Sequence, residues 1–300
     1  MYWFKNILVY RLTKKLDWSL EDLQNNLAQH QFTPCSSSDL RKFGWQAPLN
    51  ESELLHFSVG GQILLVAHRE EKILPSSVVK EALDNRVQEL EAAQQRKLKK
   101  TEKQALKDDV VATLLTRAFS RHQRTALWID SVNDLIYIDA ASSKRAEDVL
   151  ALLRKSLGSL PVVPFAFAKE LAHTMTYWLL NDELPQWLTC LEDGEFKDFD
   201  NGSSIRCKNQ DLYDRDIRGH LTAGKLVTKL ALDWENHLSF VLNEDASLKR
   251  IKFADVIHER NDDILKEDIA QRFDADFVLM TGEISELMKK LIDEFGIKED

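Results

Sequence analysis

Alternating and helically spaced apolar positions divide this chain into elements before any other property is considered. Residues 2–12 alternate well enough to predict a strand. Ser19-Leu20-Glu21-Asp22 ahead of Leu23 and Leu27 predicts a capped helix of about three turns. Residues 54–59 and 62–68 are apolar runs separated by Gly60-Gly61, the pattern of a hairpin. Pro75 then stands where a first helical residue belongs, with Val79, Leu83, Val87 and Leu90 following at helical spacing.

After Leu90 the stripe fades, and from Glu91 to Gln104 Leu98 is the only large apolar residue. A helix without an apolar face has nothing to pack against. The expectation is a charged helical arm over residues 76–118 that projects from the body and breaks near residues 96–101. It returns where Leu106, Val110, Val111, Leu114 and Leu115 restore the stripe. Residues 125–129 and 135–139 flank Asn133-Asp134 as a second hairpin, and residues 143–157 predict a helix with Val149, Leu152 and Leu153 inward, closed by Gly158. Pro161 and Pro164 mark an extended stretch after which the chain becomes more acidic. A boundary near Phe165 therefore separates an N-terminal α+β domain, residues 1–165, from a C-terminal α+β domain, residues 166–300. In the latter, residues 225–233, 238–242 and 248–253 with short polar turns predict an antiparallel meander. Ile284, Leu287, Met288, Leu291, Ile292 and Phe295 form a terminal helical stripe. The fold class expected is α+β, with antiparallel sheets and a projecting helical arm.

Composition narrows the class. Over 300 residues, 44% hydrophobic and 30% charged side chains with only 10 Gly and 6 Pro exclude a collagenous or wholly disordered chain. No apolar run approaches the roughly 18 residues of a membrane helix, and the first residues lack the order of a signal peptide, so a cytosolic protein is expected. Cys35, Cys190 and Cys207 are odd in number and far apart, which predicts reduced, buried thiols rather than a disulfide framework or a zinc site.

Charge changes the picture more. The net charge of -9 argues against indiscriminate nucleic-acid binding, yet between Arg86 and Arg124 ten basic residues face five acidic ones, a local +5 that leaves -14 elsewhere. Arg96, Lys97, Lys99, Lys100, Lys103, Lys107, Arg117, Arg121 and Arg124 belong to this island. It is either a solvated helix face or a surface presented to a polyanion. Phe119, between Arg117 and Arg121, is either core at the arm's root or an exposed contact. On the predicted meander, alternation puts Lys225 with Lys229 and Arg250 with Lys252, either a basic extension of the island or an ordinary exposed sheet face.

Catalytic patterns are weaker. Gly219-His220-Leu221-Thr222-Ala223-Gly224-Lys225 has the spacing of a phosphate-binding loop, but Leu226 stands where a magnesium-binding hydroxyl is required. Asp39, Glu70 and Lys72 resemble the carboxylates and lysine of a magnesium-dependent nuclease, and a strand ending in charge explains them equally well. No His-Glu-x-x-His motif or nucleophile elbow is present. Binding without catalysis or cofactor is the expectation.

Long segments along nearly the whole chain resemble the RdgC family, recombination-associated proteins of proteobacteria. They are MYWFKNILVYRL at 1–12, EEKILP at 70–75, RKLKKTEK at 96–103, RAFSR at 117–121, SLGSLPVVP at 156–164, AGKLVTKLALDW at 223–234, SLKRIKF at 247–253 and QRFDADFVLMTGE at 271–283. The resemblance implies a ring-shaped homodimer, closed head-to-head and tail-to-tail around double-stranded DNA. Such a ring would bind without sequence preference and restrain RecA by competing for DNA, with no reaction catalysed. It also implies contacts at Lys208 and Gln210, where this chain departs from the expected pattern with neutral Asn209, and it favours Phe119 as a contact. Location on the nucleoid in the cytoplasm follows from the same resemblance.

Overall fold

The computed structural model describes residues 2–49, 52–265 and 267–298. The first half runs β1 (Ile7–Leu12), α1 (Leu20–Ala28), β2 (Arg41–Gln46), β3 (His56–Val59), β4 (Gln62–Lys72), α2 (Ser76–Gln94), α3 (Lys100–Leu115), β5 (Ser120–Asp130), β6 (Leu135–Asp139), α4 (Ser143–Leu157) and β7 (Val162–Pro164). The second runs α5 (Leu171–Asn181), β8 (Thr189–Lys197), β9 (Ser204–Cys207), α6 (Arg215–Thr222), β10 (Leu226–Trp234), β11 (Leu238–Asn243), β12 (Leu248–Phe253), α7 (Asp255–Glu259) and α8 (Ile269–Phe295). The fold is α+β. Among the described residues twelve strands join one sheet in which every pairing is antiparallel. Its main path is β2-β4-β5-β6-β1-β12-β11-β10-β8-β9, and the two halves of the chain meet where Ile7 of β1 lies opposite Leu248 of β12.

Alternation along β1 explains the layers. Ile7 and Val9 point into one core with Leu64, Trp128 and Tyr137, which α8 covers through Phe277, Met280 and Ile284. Tyr10 and Leu12 point into a second core on the other face, under α1 and α4 with Leu23, Leu27, Val149 and Leu153. In the second half α5 and α8 cover one face through Met175, Leu179, Leu287 and Leu291. The opposite face carries half-buried or exposed Lys229, Asp233, Ser239, Lys249 and Lys252.

Several expectations shift. The first strand begins at Ile7 rather than Tyr2, because the Asp139 carboxylate accepts the Lys5 and Asn6 amides at 3.0 and 2.8 Å and Phe4 turns into the core. Ser19 caps α1 as predicted, with the reciprocal Asp22 bond. Pro75 is the cap of α2 rather than its first residue. The terminal helix starts at Ile269, far ahead of Ile284, with the Asp268 side chain accepting from the Gln271 amide. Gly219 to Thr222 close α6 instead of forming a phosphate loop. Cys207 is buried, but Cys35, ahead of edge strand β2, and Cys190, near the start of β8 before the residues that β9 pairs, are only half-buried. No helix among the described residues is long and apolar enough to cross a membrane.

Candidate nucleic-acid interface

The helical arm forms as the fading stripe predicts. Helices α2 and α3 pack against one another, and their only buried residues, Val79 and Leu115, sit at the root beside the sheet. The break falls at residues 95–99, opened by Gln95 in the left-handed region at φ 51°. Two carboxylates hold that turn. Glu91 accepts from Lys97 Nζ at 2.6 Å and the Leu98 amide at 3.0 Å, with Lys103 Nζ at 3.4 Å. Glu102 accepts from both Arg96 guanidinium nitrogens, at 2.9 and 2.6 Å, and from the Lys99 amide at 2.7 Å. The Lys97 hydrogen bond and the Leu98 amide push the Glu91 carboxyl down to about 2, and Arg96 and the Lys99 amide do the same for Glu102.

The basic island is therefore divided by role. Arg96, Lys97 and Lys103 fasten the turn, whereas exposed Lys99, Lys100, Lys107 and Arg117 make no ion pair among the described residues. At the arm's root Arg121 pairs with Glu71 at 2.8 Å and Arg124 donates to Gln46 at 3.3 Å. Phe119 is 83% exposed, so it is not core; its carbonyl accepts the Ile73 amide, tying the two ends of the arm together.

A second basic surface lies on the open face of the C-terminal strands. There a groove of about 450 Å³ brings together Lys208, Lys229 and Arg250 with two residues that sequence reasoning missed, Arg206 and Lys249. Five cations face two carboxylates, Asp193 and Glu195. Arg250 pairs with Asp193 at 2.8 Å, and Glu195 takes both Arg206 and Lys229, at 2.7 and 3.0 Å. The Arg250 hydrogen bond holds the Asp193 carboxyl below its usual range. Burial works against ionisation of Glu195, but Lys229 and Arg206 outweigh it. Lys249 donates to the Ala140 and Ala141 carbonyls ahead of α4, and burial depresses its ammonium. Lys208 is exposed and unpaired among the described residues.

Simple alternation does not build this groove. Leu248 and Phe253 are both buried although they stand five positions apart, an odd spacing that one strand can satisfy only with a bulge. The pairing of β11 with β12 slips between Ser239 and Val241, and Arg250 takes φ 52°. The extra residue turns Lys249, Arg250 and Lys252 all outward. A similar slip between Val227 and Lys229 interrupts β10, so Lys229 enters the groove while Lys225 lies just before the strand and donates to Ser203 at 2.9 Å. Lys252 and Gln210 are exposed but outside the groove, Gln210 giving its amide to the Glu192 carbonyl.

The candidate nuclease carboxylates have other work. Glu70, 5% exposed, accepts from Ser120 Oγ at 2.6 Å and the Cys35 amide at 2.7 Å. Asp39 accepts from the Ser36 amide and hydroxyl at 2.9 and 2.7 Å and faces Lys42 at 3.4 Å. Glu70, on β4, ties the segment ahead of β2 to β5, and Asp39 closes a turn within that segment and faces Lys42 of β2.

Comparison with known proteins agrees with the sequence resemblance over its whole length. A family model described as "Putative exonuclease, RdgC" matches residues 2–298. Proteins named "Recombination-associated protein RdgC" are similar throughout. That of Actinobacillus succinogenes is 67% identical over 296 residues, covering 99% of this chain and 98% of the relative. Those of Mannheimia succiniciproducens and Pasteurella multocida are 65% and 61% identical, each with the same coverage. These relatives are named for recombination and not as enzymes. With a family match over nearly every residue and relatives sharing more than half of its sequence, the chain belongs to the RdgC family of recombination-associated proteins.

Proposed function

We propose that this protein binds double-stranded DNA without reading its sequence, encircles it as a ring-shaped homodimer, and restrains RecA-mediated recombination by occupying DNA. It would act in the cytoplasm on the nucleoid. The observation that carries the reading is the groove in which Arg206, Lys208, Lys229, Lys249 and Arg250 converge on an otherwise acidic protein. Phosphate contacts need cations held in position and little else, since they fix a protein on the duplex without specifying bases. The free cations of the arm, Lys99, Lys100, Lys107 and Arg117, support the same reading from a different element. Closure of two chains into a ring adds retention that contacts alone do not supply.

A salt titration of a short fluorescent duplex tests the binding surface. Substituting Lys208 and Lys249 by Gln lowers the slope of log affinity against log salt by about 0.9 for each phosphate that is no longer neutralised. An unchanged slope in a folded double variant removes the groove from the interface. The family description favours a second reading, an exonuclease using Asp39, Glu70 and Lys72. The hydrogen bonds that occupy Asp39 and Glu70 count against it, and DNA shortened or nicked in magnesium would revive it.

A further inference from the structure

Where the arm leaves the sheet, β4 and β5 place two imidazoles in contact. His68 Nε2 and His122 Nδ1 are 3.1 Å apart, so a single proton lies between them. His68 is 6% exposed and stacks on Phe32 with ring centroids 3.9 Å apart. The close approach depends on Gly44, which pairs with His68 from β2. A Cβ there would stand 2.6 Å from the Phe32 amide nitrogen, so only glycine lets the segment before β2 cross over the strand and cover the ring. His68 Nδ1 is buried with no hydrogen-bond partner. A buried N–H without an acceptor is the costlier orphan, which assigns the lone pair to Nδ1 and the proton to Nε2, donating to His122. Exposed His122 then turns its own N–H to water.

Adding a proton breaks this arrangement by either route. Protonation of His122 Nδ1 removes the acceptor, and protonation of His68 Nδ1 creates a buried donor with nothing to receive it. The surroundings act in the same direction. Arg124 lies opposite His68 on β5, and Lys42 on β2 and Lys72 on β4 share that face. Its anion, Glu70, is engaged by Ser120 and the Cys35 amide. The Cys35 thiol and the Tyr2 hydroxyl, which border the site, are both raised by burial and stay neutral near pH 7. Burial, then Arg124 and His122, hold His68 below its ordinary 6.5 despite Glu70.

We infer that the His68–His122 pair is a proton-operated latch on the root of the arm, closed while both imidazoles are neutral and released when the pair takes up a proton. The arm's anchoring bonds are close by: Ser120 to Glu70, Lys72 to Leu40 and Ile73 to Phe119. The latch concerns the arm's attachment alone and stands whether or not DNA is bound.

The sign follows from linkage. A group that binds its proton more weakly when folded adds stability above its unfolded value, about 6.5 for histidine, and loses it as pH falls toward the folded value. Hydrogen exchange of the full-length protein, corrected for the intrinsic pH dependence, reads this at the Lys72 and Ile73 amides. From pH 7.5 to 5.5 their protection is expected to fall several-fold, and His68→Phe, which keeps the Phe32 stack without a titrating ring, abolishes that fall. The proposal is overturned if protection is flat in the wild type, or if His68→Phe shows the same fall. Should that variant not fold, imidazole NMR of the wild type decides: His68 titrating at its ordinary value and independently of His122 overturns the latch, and a depressed titration coupled to His122 supports it.

Discussion

Phe119 stands 83% exposed between two arginines at the arm's root, with half-exposed Ile73 donating its amide to the Phe119 carbonyl. A side chain so exposed contributes little to folding. Phe119→Ala is therefore expected to change stability by no more than about 0.5 kcal/mol while weakening self-association or DNA retention, measured by sedimentation and by gel shift. A drop of several degrees in melting temperature would contradict that assignment. Sequence identifies Phe119 as a residue with two fates but cannot choose between them, because exposure is a property of the surrounding packing. Arg250 gives the complementary lesson. Its place on a basic surface is expected from alternation with Lys252, but alternation counted from Leu248 would turn it inward. The clue is the odd spacing of Leu248 and Phe253, which leaves Arg250 on the open face beside Lys249.

At the scale of elements, the arm is the most legible feature, since the loss of an apolar stripe between Glu91 and Gln104 admits few other structures. Its internal ion pairs are not legible, because they depend on the turn that brings Glu91 to Lys97 and Glu102 to Arg96. They divide the arm's cations into fasteners and free charges, and the two groups predict different phenotypes. Lys100, Lys107 and Arg117 replaced together by Gln should leave α2 and α3 folded by circular dichroism and reduce the salt slope of duplex binding by up to about 0.9 for each charge removed. An equal reduction from Lys97→Gln, whose partner is Glu91, would show that the turn and not the free charge governs binding. Periodicity misses β2, β8, β9, α5, α6 and α7, and for β8 and α5 the physical reasons differ. Strand β8 has one face open to solvent and its pairing with β10 slips between Leu230 and Leu232, which blurs alternation, and α5 is so apolar that no polar face defines its period.

Across the whole molecule, one antiparallel sheet passes from the first half of the chain to the second through the single register of Ile7 against Leu248, with basic surface at both the arm and the C-terminal groove. Local patterns can announce the strands but not this junction, which joins residues 241 positions apart. Encirclement is what separates a ring from binding by basic patches alone, since a closed ring leaves linear DNA by sliding off an end but cannot leave a closed circle without opening. The direct measurement loads the protein on relaxed closed-circular DNA or on the same DNA linearised, with magnesium present, then raises the salt and follows the bound fraction. A non-catalytic ring predicts that the closed circle keeps protein at salt concentrations that strip the linear form, and that the circle stays intact. Equal release from both forms, or nicking of the circle, would contradict it.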